Sequence, residues 1–82
     1  MGFFSFLFGG KKGPDGSTPE KAIAVQSVAE EYDWIKQNCP GFMPSMQSLR
    51  HINGKPYDVL KVESTKGEEK EIFFDISAFF GK

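Results

Sequence analysis

The stretch YDVLKVESTKGEEKEIFFDIS, residues 57–77, decides how this chain is read. Thr65-Lys66-Gly67 is a three-residue turn ending in glycine between two apolar runs, the pattern of a hairpin closed through a bulge. With Gly67 as the bulge glycine, Ser64 faces Glu68. Leu60 then lies opposite Ile72, Val59 opposite Phe73 and Lys61 opposite Glu71, so apolar pairs with apolar and charge with opposite charge. A two-residue turn would set Asp58 against Asp75 and is rejected for that reason.

Upstream, Asn53-Gly54 is a second hairpin signal, and three strands are expected at 45–52, 57–64 and 69–77. A loop of Ile52, Asn53 and Gly54 sets Met46 opposite Leu60 and Leu49 opposite Tyr57. One sheet face would then carry Met46, Leu60, Val62, Ile72, Phe74 and Ile76, ready for a helix. The other would carry Leu49, Tyr57, Val59 and Phe73 among Lys61, Glu71 and Asp75, more aromatic than a solvated face requires.

The helix comes from residues 28–38. Val28, Tyr32 and Ile35 recur at helical spacing with Trp34 beside them, and Cys39-Pro40-Gly41 stops the run. Its beginning has two readings. Thr18 as N-cap with Pro19 at the first position would start it early. Alternatively a short strand occupies 22–26 and Ser27-x-x-Glu30 forms a capping box. The second is favoured, because a capping box inside a continuous helix has no orphan amides to satisfy. The expected fold is therefore α+β: one helix on a three- or four-stranded antiparallel sheet, a β-α-β-β-β meander whose first strand is the open point.

Eighty-two residues allow one small domain. Residues 1–17 read as an apolar leader followed by a glycine-rich flexible linker, and 18–82 as the domain. Phe3, Phe4, Phe6 and Phe8 crowd the leader, which is far short of the roughly 20 apolar residues of a membrane span and lacks the charge order of a secretory signal. A cytoplasmic protein is expected. The leader is a candidate anchor for a partner or, weakly, a membrane surface, with Lys11 and Lys12 beside it. Ten basic residues against eleven acidic ones give a net charge of −1, which offers no field for nucleic acid.

Chemistry-bearing motifs are sparse. Cys39, His51, Asp58 and Asp75 contain the parts of a thiol site, but a helix C-terminus raises a thiol pKa. One Cys and one His do not make a metal site, and no phosphate loop, H-E-x-x-H or G-x-S-x-G occurs. No catalytic, cofactor or metal residue is assigned, and thiol chemistry at Cys39 stays as an alternative. The expected function is non-enzymatic binding to a protein partner or to itself. The candidate patch is Tyr57, Phe73, Phe79 and Phe80, with Arg50, Lys61 and Glu71 as its polar rim. Tyr57, Phe73 and Lys61 could also stack single-stranded nucleic acid, but Glu71 and Asp75 on the same face disfavour it.

Overall fold

The computed structural model describes residues 14–81. Both helix-start signals are used, one after the other. Thr18 accepts a side-chain hydrogen bond from the Lys21 N–H and Pro19 opens a single 3₁₀ turn, Pro19–Lys21. Strand β1 (Ile23–Ala24) follows, and then Ser27 caps helix α1 (Val28–Asn38) by accepting from the Glu30 N–H at 3.3 Å. The Glu30 carboxylate reaches back to the Gln26 N–H at 2.8 Å, completing the reciprocal cap one residue ahead of the usual position.

Strands β2 (Phe42–Ile52), β3 (Lys55–Ser64) and β4 (Glu69–Asp75) complete a four-stranded sheet in the order β1-β4-β3-β2. The protein is thus α+β, with the β-α-β-β-β order expected. The sheet is mixed, however: β1 runs parallel to β4, through Ile23 beside Phe74 and Ala24 beside Asp75. The reason is the crossover. α1 returns the chain so that β2 starts in the same direction as β1, and the two antiparallel hairpins then fill the space between them.

The second hairpin has the expected register, with Leu60 opposite Ile72, Val59 opposite Phe73 and Lys61 opposite Glu71. The Ser64 N–H donates to the Glu68 carbonyl, and Gly67 has φ +87°. The first hairpin differs by one residue. Asn53 and Gly54 both have positive φ, 53° and 79°, so they alone form the turn and Ile52 faces Lys55. A one-residue slip exchanges the faces. Met46 therefore pairs with Lys61 on the outer face, and Leu49 pairs with Asp58 on the helix-bearing face, the reverse of the expected placement. A bulge between Pro44 and Met46 corrects the alternation, so that Phe42 packs against the core.

The core lies between α1 and the sheet: Ile35 and Cys39 meet Leu60, Val62, Ile72, Phe74 and Ile76. Trp34 meets Phe74 edge-on at 5.8 Å. The helix is rotated from the expected Val28-Tyr32-Ile35 stripe. Glu31 and Ile35 are its buried residues, while Val28 and Tyr32 are exposed at its margin.

Gly16 joins the domain ahead of the expected boundary at 18. Its carbonyl accepts from the Phe73 N–H at 2.7 Å, and a Cβ there would stand 2.6 Å from Ile72 Cγ2. With φ +77°, only glycine fits this closing contact. The candidate anchor residues Phe3, Phe4, Phe6 and Phe8 lie outside the described residues.

Candidate functional site: the helix margin and strand β2

The aromatic outer face is closed by its own side chains. Arg50 bonds Glu71 at 3.0 Å, Lys55 bonds Asp75 at 3.0 Å and Lys61 bonds Glu69 at 3.2 Å, each cation reaching from β2 or β3 to a carboxylate on β4. Their aliphatic stems cover what lies beneath. The Arg50 guanidinium stands 5.8 Å from the Phe73 ring centre and the Lys55 ammonium 5.9 Å from that of Tyr57. Tyr57 and Phe73, edge-to-face at 6.5 Å, are only 6% and 8% exposed. Burial alone would raise the Asp75 carboxyl, but bonds from Ser77 and Lys55 hold it below its ordinary value. The Asp75 bond in turn raises Lys55.

The structure does not bring the four patch residues together. Tyr57 and Phe73 form this outer cluster with Val59, whereas Phe79 packs on the opposite face against the helix core. Phe80 is exposed and meets His51 edge-on at 5.4 Å. Arg50, Lys61 and Glu71 are consumed in covering the cluster.

The thiol constellation is also dispersed. Cys39 is buried in the core, and that burial pushes its thiol up against the opposing charge of Lys70. His51 is held by Phe80, Asp58 is buried on the helix-bearing side and Asp75 is tied to Ser77 and Lys55 on the other. A cleft of about 680 Å³ beside β4 is lined by Asp15, Trp34, Asn38, Cys39, Lys70 and Glu71. It contains no nucleophile paired with a base. Among the described residues no group of three or more His, Cys, Asp or Glu could hold a metal ion.

What sequence reasoning missed is at the α1–β2 margin. Glu31 is 0% exposed, and as a carboxylate it would find no donor at either oxygen. Burial first, and then a hydrogen bond and charge repulsion from Asp58, push its carboxyl up to about 8. It therefore sits as a neutral acid donating to Asp58, whose Oδ2 also accepts from Gln47 Nε2 at 2.7 Å. In the sequence Glu31 is one of several first-turn acids, and only the rotation of the helix puts it inside.

Around this buried pair the surface is apolar. Among the described residues the exposed large apolar side chains are Val28, Tyr32, Met43, Met46, Leu49 and Phe80. Five of the six belong to β2 or sit against it. Met43 and Met46, 70% and 62% exposed, and Leu49 belong to the strand; Tyr32 of the helix lines clefts with it; Phe80 rests on His51 of β2; Val28 stands one helical turn from Tyr32. Two clefts of about 200 and 230 Å³ lie beneath Tyr32, one toward Phe42 and Met43, the other toward Met46 and Gln47.

No protein-family model, no curated protein and no solved structure matches the chain. Among the described residues no helix is long and apolar enough to cross a membrane.

Proposed function

We propose that this protein is a small, non-enzymatic interaction module of the cytoplasm whose contact surface is the β2 margin. The observation that carries the reading is the gathering of five of the six exposed large apolar side chains of the described residues on or against one strand. Apolar residues scattered singly need no explanation, but their concentration along both faces of one edge strand, beside shallow clefts, suits a contact surface. Burial of Met43, Met46, Leu49 and Tyr32 against a partner would supply the affinity. Gln47, Ser48 and His51 would supply its polar contacts.

The test is site-specific photo-cross-linking in the full-length protein, with the reactive residue placed at Leu49, at Tyr32 or at Lys66 in the β3–β4 turn. Discrete adducts from positions 49 and 32 and none from 66 are expected. Adducts of equal yield at position 66, or none at the margin, would overturn the reading.

A further inference from the structure

The two edges of the sheet are treated differently. β4 is covered along part of its edge by β1 and by Gly16, whereas β2 has no neighbour among the described residues on its far side. In a two-residue hairpin the residues flanking the turn exchange hydrogen bonds, so Ile52, Arg50, Ser48 and Met46 turn their backbone groups toward β3. The other edge agrees in phase: the Phe73 N–H, on the residue opposite Val59, points away from β3 to Gly16. Gln47, Leu49 and His51 consequently direct their N–H and C=O groups outward. Edge strands are usually blunted by lysine, proline or a bulge. β2 carries such devices only in its first half, at Pro44 and the adjoining bulge. From Met46 to Ile52 the one fully charged residue is Arg50, and it is turned to the outer face and tied to Glu71.

Resting on the interaction-module reading, we infer that the partner is a second copy of this chain, joined by antiparallel pairing of β2 with β2 about a two-fold axis at Leu49. Outward-pointing residues must meet outward-pointing residues, which leaves few registers. Centring on Arg50 sets two arginines against each other, a destabilising like-charge pair. Centring on Ser48 runs His51 onto the bulge residue Ser45. Centring on Leu49 uses the whole of 46–52. Leu49 then meets its own copy, and Gln47, whose amide oxygen is free of the Asp58 bond, meets His51. On the outer face Met46 meets Ile52 and Ser48 meets Arg50. Each apolar residue faces an apolar one and each polar residue a polar one, and the result is an isologous eight-stranded sheet.

Sedimentation of the full-length protein across a concentration series tests this. A shift from one to two protomers is expected. Leu49→Lys, which sets two ammonium groups against each other at a half-exposed position, should remain monomeric and match the natural protein's melting curve at low concentration, where both are single chains. Under mild oxidation Leu49→Cys should give a disulfide-linked dimer, while Ser48→Cys and Arg50→Cys should not, because their own copies are displaced along the strand. The cysteine series decides the matter even if Leu49→Lys fails to fold. A variant with Phe4→Ser and Phe6→Ser should dimerise as the natural chain does.

A natural chain that is monomeric at every concentration, a Leu49→Lys variant that dimerises normally, preferential cross-linking at 48 or 50, or dimerisation lost with the leader substitutions would each overturn the inference. A monomeric protein that still gives adducts with another protein from position 49 overturns the dimer alone and leaves the module reading standing.

Discussion

Over the outer face, Arg50, Lys55 and Lys61 reach across to Glu71, Asp75 and Glu69, and beneath them Tyr57, Val59 and Phe73 are buried. At the margin of the helix-bearing face the order is inverted. There Glu31 and Asp58 are buried, and Val28, Tyr32, Leu49 and Phe80 are exposed. Charge at the surface covers apolar area at little cost in solvation. Charge beneath an apolar surface must be neutralised or bonded, and it leaves that surface free for another molecule. The first arrangement serves the fold; on the proposed reading the second is left for a contact, away from the face with the most aromatic rings.

The contrast is broken most sharply at Phe73. If the outer cluster is structural, Phe73→Ala removes a buried ring and leaves a cavity under Arg50, a loss of about 3 to 5 kcal/mol. Chemical denaturation of the natural and variant proteins measures it. A change within about 0.5 kcal/mol, as at an ordinary surface site, would mean that the outer face is not a second core.

Glu31 gives the next largest effect, and its sign depends on pH. Its ordinary carboxyl value is 4.5 and in the fold it is pushed up to about 8, so the folded protein keeps a proton that the unfolded chain releases. The contribution to stability is complete below pH about 4.5 and is lost as pH rises through about 8. Across that window the natural protein should weaken by about 2 to 4 kcal/mol relative to Glu31→Gln. The glutamine keeps a donor for Asp58 and has no proton to lose. Parallel pH profiles for the two proteins would remove the neutral acid from the account.

These residues also show what the sequence reveals and what it hides. The β3–β4 register was legible because Gly67 and the Lys61–Glu71 pairing constrain it from both ends. The helix start was legible in Ser27 and Glu30, whereas Thr18-Pro19, set aside as an early start of that helix, caps a single 3₁₀ turn of its own. The β2 register was not legible, since a two-residue and a three-residue loop both fit Ile52-Asn53-Gly54, and the bulge at Ser45 carries no glycine to announce it. The candidate patch failed to assemble for the same reason that Glu31 went unnoticed. Burial depends on the rotation of a helix and on the reach of long cationic side chains, neither of which is written in the spacing of apolar residues. Tyr57 and Phe73 were placed on the right face, but their covering by Arg50 and Lys55 is a three-dimensional fact.

The smallest expected effects sharpen the comparison most, because they separate two kinds of surface that composition cannot distinguish. Arg50→Ala removes an exposed ion pair, worth about 0.2 to 1 kcal/mol in such settings, and also the stem that shields Phe73. The loss should therefore sit at or above the upper end of that range and should persist in high salt, where the ion pair alone would be screened. Met46→Ser, one of the most exposed apolar substitutions on β2, should change stability by less than about 0.5 kcal/mol, since little apolar area is buried there in the single chain. Measured at low protein concentration, the polar residue Arg50 thus matters more to folding than the apolar Met46, the reverse of what hydrophobicity alone predicts. At high concentration the order should invert. Met46→Ser then removes area that faces Ile52 across the β2 pair, whereas Arg50, already held on its own sheet by Glu71, gives up only its contact with Ser48. A loss relative to the natural protein that grows with concentration for Met46→Ser and not for Arg50→Ala is the outcome that ties the apolar margin to association; identical behaviour of the two variants at both concentrations would leave the margin with no role the outer face lacks.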